Sequence, residues 1–155
     1  RMTREKTSFV YVTYITSTPA KVFDAITNPE IARQYWGHEN VSDWTPGSKW
    51  AHIRDNDARS VQVVGEVVEV TPPNRLVITW AGASEADNPE SYSRVIFEID
   101  PHENGVRLSV SHIELEAGSG MAEGVSKGWP LVLSSLKSYL ETGTGFDMLA
   151  CSKAA

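Results

Sequence analysis

Apolar residues recur at helical spacing over one long stretch near the end of the chain. They step by three or four positions, which places them on one face of a helix. They are Met121, Val125, Trp129, Val132, Leu133, Leu136, Tyr139 and Leu140. Ser135 falls on the polar side, Gly143 is typical of a helix end, and Pro130 predicts a kink because it lacks a backbone N–H. We therefore predict one long C-terminal helix whose apolar face lies against a large apolar surface.

Alternation of apolar and polar residues predicts six strands before this helix. They cover residues 9–15, 49–54, 61–70, 75–80, 92–100 and 106–114. Gly65 predicts a bulge or the close approach of another backbone. Asn104 and Gly105 predict a hairpin between the last two strands. We expect loops at 41–48 and 81–91, the second one acidic and mobile.

Two short helices are predicted directly after the first strand. Thr18 and Pro19 are cap and first-turn residues of one helix, and Asn28 and Pro29 open the next, which Gly37 ends. An antiparallel sheet can bury one face against a helix and leave the other face polar. The order of elements therefore predicts an α+β domain over residues 2–146, followed by a flexible tail over 147–155.

Composition narrows the class of protein. The chain has 155 residues, 41% of them hydrophobic, and a net charge of −6, which fits a single globular domain and argues against a nucleic-acid or anionic-membrane partner. No apolar run approaches the ~20 residues that span a bilayer. Cys151 is the only cysteine, so no intrachain disulfide forms. A reducing, cytoplasmic location is the expectation.

Several sequence motifs, in this order, resemble the SRPBCC or START-like superfamily, and within it the branch named for the activator of the Hsp90 ATPase. They are Tyr35-Trp36-Gly37, Pro46-Gly47-Ser48-Lys49-Trp50, the segment 65–76, Thr79-Trp80 and Gly128-Trp129. The resemblance implies a helix-grip fold, in which a curved six-stranded antiparallel sheet wraps around the C-terminal helix and leaves a cavity. It also implies a chaperone as a possible partner. Whether the protein is a monomer or a homodimer stays open.

The residues offer no established catalytic or metal motif. His38, His52, His102 and His112 lack the spacing of a zinc site, and neither a nucleophile elbow nor a phosphate or dinucleotide loop occurs. We therefore predict no metal, no cofactor and no catalytic residue. His112 shares a strand face with Leu108 and Val110, where it is either a hydrogen-bonded core histidine or a ligand contact.

Five tryptophans stand out in a chain of this length, since an indole offers a large apolar face and one N–H donor. They either fill the core or line a pocket. The predicted pocket lining is Trp36, Trp50, Trp80, Phe97, His112, Trp129 and Leu133. The preferred hypothesis is a carrier of a small hydrophobic or aromatic molecule. The alternatives are a polyketide cyclase or hydrolase with acid–base help from His112 or His38, and a chaperone-associated interaction protein.

Overall fold

The computed structural model describes residues 5–148, so Cys151 and most of the predicted tail lie outside the described residues. Within this range one antiparallel sheet of seven strands is accompanied by three helices. The strands are β1 (Lys6–Ile15), β2 (His38–Ser42), β3 (Lys49–Arg54), β4 (Val61–Thr71), β5 (Arg75–Gly82), β6 (Ser93–His102) and β7 (Gly105–Glu116). The helices are α1 (Pro19–Thr27), α2 (Pro29–Trp36) and α3 (Gly120–Thr142). The α+β class, the two short helices and the long C-terminal helix are confirmed.

The sheet has one strand more than the six predicted, because the segment that forms β2 has the sequence of a loop. Its sequence is short and polar, and two of its polar side chains are buried, so it lacks the apolar alternation that marks a strand. Glu39 accepts hydrogen bonds from Arg33 and Arg59, and Asn40 donates to the Ile26 carbonyl. Long-range partners therefore stabilise a strand that local sequence does not indicate.

The sheet order is β1-β7-β6-β5-β4-β3-β2, so β1 and β2 form its edges. Apolar residues of the central strands are buried on one face, as predicted for Val95, Phe97 and Ile99 on β6 and for Leu108 and Val110 on β7. Helix α3 packs against β1 and β7. The core thus lies between this face of the sheet and the helices.

Helix α3 begins after its N-cap Ser119 and ends at Gly143, which adopts the left-handed backbone predicted for a helix end. The helix continues through Pro130. Ser135 is buried, contrary to its predicted place on the polar side. Its hydroxyl donates to the Tyr35 carbonyl at 2.6 Å and accepts from the Phe146 N–H at 2.8 Å, which satisfies it inside the core.

Strand β5 runs two residues further than predicted, to Gly82, and two single-turn 3₁₀ helices, Ala83–Glu85 and Pro89–Ser91, connect it to β6. None of the described helices is long and apolar enough to cross a membrane.

Candidate functional site

Aromatic side chains from six different elements meet between the sheet and α3. We call them the aromatic cluster, and its members are Trp36, Trp50, His52, Trp80, Phe97, His112 and Trp129. Trp129 is its centre, with ring centroids 5.7 Å from Trp36, 5.5 Å from Trp80 and 5.8 Å from Phe97. Six of the seven predicted lining residues thus contact one another, and Leu133 is buried in the same core.

A glycine makes room for one of these indoles. Trp50 on β3 pairs with Gly65 on β4, and a Cβ at Gly65 would overlap both the Trp50 indole nitrogen and the Thr79 carbonyl. The Trp50 N–H donates to that carbonyl at 2.7 Å. Of the two interpretations of Gly65, the close approach of another backbone is therefore correct. The bulge interpretation is wrong, because the register of β4 and β5 shifts between Val67 and Glu69 and not at Gly65.

Both ring nitrogens of His112 are occupied by protein partners. The Trp129 N–H donates to Nδ1 at 3.0 Å, so Nδ1 carries no proton. Nε2 carries the proton and lies 2.8 Å from the Ser93 hydroxyl, which donates in turn to the Trp80 carbonyl. Burial lowers the pKa of His112 to about 4, so its ring is neutral near pH 7. Acid–base chemistry at His112 would first have to break this chain of hydrogen bonds.

His52 is the opposite tautomer to His112, with its proton on Nδ1. Asn40 donates through its amide nitrogen to the Ile26 carbonyl at 2.9 Å, so its amide oxygen faces Nδ1 of His52 at 2.7 Å. An amide oxygen only accepts, so Nδ1 of His52 carries the proton and Nε2 holds a lone pair. Burial, and secondarily the nearby His38, lowers the pKa of His52 well below its usual value. His52 is therefore a neutral hydrogen-bond acceptor.

His38 stacks on His52 with ring centroids 4.2 Å apart and an interplanar angle of 6°. Its Nδ1 lies 3.0 Å from the Trp36 carbonyl and must donate to it. Burial lowers the pKa of His38 as well. The prediction that His38 lies in a polar loop is therefore wrong, since His38 begins β2 and lies beside the aromatic cluster.

The five tryptophans differ in whether the protein supplies a hydrogen-bond acceptor for the indole N–H group. Trp44, Trp50 and Trp129 donate to oxygen or nitrogen acceptors. Trp80 donates to the Met121 sulfur at 3.4 Å, and thioether sulfur is a weak acceptor. The N–H of Trp36, which is partly buried, has no hydrogen-bond partner among residues 5–148.

A surface groove of about 820 Å³ lies next to the cluster, between the β5–β6 connection and the start of α3. Its walls include Gly82, Ser93, Leu115 and Met121. None of the seven predicted lining residues borders this groove, but Met121 separates it from Trp80 and Ser93 separates it from His112. A second depression of about 270 Å³ lies at the β6–β7 turn beside Lys137.

No three His, Cys, Asp or Glu side chains within residues 5–148 are grouped so as to hold a metal ion. Glu39 is a buried carboxylate, but hydrogen bonds from Arg59 and Arg33 hold its pKa at about 2 and neutralise its charge. Glu39 is therefore paired with two arginines and is not available to hold a metal ion.

Three polar residues of this site are absent from the predicted lining: His52, Asn40 and Ser93. One signal was available for His52, since alternation places it on the same face of β3 as Trp50. Nothing local indicated Asn40, because its role depends on β2 pairing with β3 and on the carbonyl at the end of α1.

Comparison with known proteins places the chain in a family and gives its fold. The family model described as activator of Hsp90 ATPase homolog 1-like protein matches residues 16–141. No curated protein matches the chain.

Solved structures with the same fold include three proteins of low sequence identity. The Aha1 dimer from Colwellia psychrerythraea is 20% identical with a TM-score of 0.75, and the alignment covers 90% of this chain and 99% of that one. CalU16 from Micromonospora echinospora is 20% identical with a TM-score of 0.69 and coverage of 95% and 82%. An HSP90 activator from Plasmodium falciparum is 24% identical with a TM-score of 0.72 and coverage of 86% and 96%.

Proposed function

The chain belongs to the family of activator of Hsp90 ATPase homolog 1-like proteins, and we propose that its domain binds a small hydrophobic or aromatic molecule between the sheet and α3. The proposed lining is the set predicted from sequence, Trp36, Trp50, Trp80, Phe97, His112, Trp129 and Leu133. The fold that the chain shares with its relatives is compatible with such a carrier.

The observation that carries the proposal is the convergence of four indoles, one phenyl ring and two imidazoles on one place in the core. Flat rings offer stacking surfaces to an aromatic ligand, and few other side chains bury as much apolar area. Trp50 and Trp80 are 5.5 Å apart on the sheet side, and Trp129 faces Trp80 from the helix at the same distance. A planar molecule inserted here would contact rings from both layers.

Because these rings touch one another, binding requires one wall to move. Met121 is the part most easily displaced, since its side chain is flexible and its hydrogen bond from Trp80 is weak. We propose that the first half of α3 moves with Met121. Gly120, Gly124 and Gly128 have no neighbour within 4 Å of where a Cβ would stand, and Pro130 removes one helical hydrogen bond. The groove of about 820 Å³ on the outer side of Met121 is the proposed entrance.

Two measurements test ligand binding. Native mass spectrometry of the purified protein should detect a retained small molecule, and 8-anilinonaphthalene-1-sulfonate should gain fluorescence that competing aromatic compounds remove. Met121→Ala should speed dye association by opening the entrance. Leu131→Ala is the matched control, since Leu131 is an exposed apolar residue of the same helix. A cooperatively folded protein that retains no molecule and gives no competable dye signal would refute ligand binding.

A protein-interaction role is the second candidate, and one feature of the sheet favours it. Edge strand β1 exposes Val10, Val12 and Tyr14 in a row, and it has no charged residue between Lys6 and Ile15. Unprotected apolar edges pair readily with another strand. We expect Val12→Lys to reduce any self-association measured by light scattering and any stimulation of an Hsp90 ATPase. A protein that is monomeric at high concentration and leaves that ATPase unchanged would remove this candidate.

A further inference from the structure

We propose that the ligand of the aromatic cluster carries a hydroxyl group, which donates a hydrogen bond to Nε2 of His52 and accepts one from the indole N–H of Trp36. The inference rests on the proposed ligand-binding function and names the chemical class within it, a hydroxylated aromatic compound such as a phenol. It follows from the hydrogen-bond partners of two neighbouring side chains, whose ring centroids are 4.7 Å apart.

The protein fixes the direction of the His52 lone pair through two side chains and one carbonyl. The Ile26 carbonyl can only accept, so it orients the Asn40 amide, and the Asn40 oxygen then takes the proton of His52 Nδ1. Each of these groups is buried or part of the backbone. The arrangement therefore holds Nε2 as an acceptor on the side of the ring away from Asn40.

Nε2 of His52 has no hydrogen-bond partner within residues 5–148. Nε2 is not completely buried, because the one completely buried side-chain nitrogen or oxygen without a hydrogen bond in residues 5–148 is Nε of Arg94, which lies 3.6 Å from Glu114 in an ion pair. His52 as a whole is only 5% exposed. Nε2 is therefore a largely buried acceptor without a hydrogen-bond partner in the described range.

His112 is the internal comparison for this argument. It is the same residue type in the same cluster, yet Trp129 and Ser93 occupy both of its nitrogens. The tryptophans give the same contrast, since Trp36 alone among the five lacks any protein acceptor in the described range. One acceptor and one donor thus remain unused, and they belong to rings that touch. A hydroxyl oxygen with its proton satisfies both.

A site of this kind discriminates strongly. A ligand that lacks the hydroxyl leaves a largely buried lone pair without a partner, which weakens its binding by about tenfold. The surrounding rings would bind such a ligand by apolar contact alone. We therefore expect preference for the hydroxylated member of a series of otherwise equal aromatic compounds.

Three probes that share the naphthalene ring test the two proposed hydrogen bonds one at a time. 2-Naphthol can donate and accept, 2-methoxynaphthalene can only accept, and naphthalene can do neither. Binding to the wild-type protein, measured by quenching of tryptophan fluorescence, should be about tenfold tighter for 2-naphthol than for 2-methoxynaphthalene. Trp36→Phe keeps an aromatic ring but removes the donor, so it should weaken both oxygen-containing probes more than it weakens naphthalene. His52→Phe should abolish the preference for 2-naphthol over its methyl ether.

A measurement on the wild-type protein keeps the test independent of variant folding. Long-range ¹H–¹⁵N spectra of the histidine rings should show the proton of His52 on Nδ1 and that of His112 on Nε2. Addition of 2-naphthol should shift Nε2 of His52, and 2-methoxynaphthalene should not. Equal binding of all three probes, or a proton on Nε2 of His52, would overturn the inference while ligand binding stands. Binding of none of the probes would overturn both.

Discussion

Acid should destabilise the protein through His112, and the size of the effect follows from its surroundings. A proton added to the neutral ring must go to Nδ1, where the Trp129 N–H already donates. Protonation therefore sets two donors against each other in a site with no exposed surface. Burial accordingly lowers the pKa of His112 from its usual 6.5 to about 4.

The direction of the effect follows from where the proton binds more tightly. The unfolded chain takes up the proton below about pH 6.5, whereas the folded protein resists it until about pH 4. Stability is thus complete above the upper value and is lost as the pH falls through this window. Between about pH 8 and about pH 5 the loss attributable to His112 is about 2 kcal/mol. The lowered pKa of His52 adds to the loss in the same direction.

Urea unfolding followed by circular dichroism at these two pH values provides the assay. His112→Gln is the matched variant, because an amide can donate to Ser93 and accept from Trp129 without titrating. The wild-type protein should lose about 2 kcal/mol more than this variant on acidification. Equal losses would refute the assignment of a buried, neutral imidazole. Glu39 interferes little, because the stability from its lowered pKa is lost as the pH falls from its usual 4.5 to about 2, below both assay values.

Three further substitutions test the packing and charge of the core by urea unfolding near neutral pH. Gly65→Ala should destabilise the protein by at least about 2 kcal/mol, because its methyl group overlaps the Trp50 indole and a strand carbonyl. Gly128→Ala, the same exchange in an unobstructed helical position, should instead stabilise it by about 0.5–1 kcal/mol, and a loss there would contradict the geometry. Glu39→Gln should cost about 1–2 kcal/mol, because a carboxylate that accepts three hydrogen bonds from two arginines loses its charge. No change in the unfolding midpoint would show that these ion pairs contribute nothing.

Periodicity alone was enough to predict most of the fold. The helical stripe that includes Trp129 and Leu136 marks α3, and the alternation around Phe97 and Leu108 marks the central strands. These patterns are readable because each element buries one apolar face. Prediction failed where burial is polar. Ser135 looks like a surface residue and β2 looks like a loop, yet hydrogen-bond partners distant in sequence bring both into the interior.

The candidate site also contains residues that the sequence pattern indicates and residues whose roles depend on packing. The tryptophans could be identified from sequence because large apolar rings on buried faces must meet in the core of a small domain. The difference between His52 and His112 could not, since both simply stand on an inward-facing strand position. Their roles depend on Asn40 beside one ring and Trp129 beside the other, and these contacts exist only after β2 and α3 have packed.

In the proposed function, the opposite tautomers of the two histidines divide two roles, one in holding the fold together and one in binding the ligand. His112 links Trp129 on the helix to Ser93 and the Trp80 carbonyl on the sheet, so it joins the two layers. His52 bonds to Asn40 on β2, and its Nε2 has no hydrogen-bond partner among residues 5–148. In this proposal, displacing Met121 admits a molecule to the cluster while the link through His112 stays intact. For this reason we expect ligand binding to raise the midpoint of unfolding without altering the tautomer of His112, and a change in that tautomer on binding would contradict the division of roles.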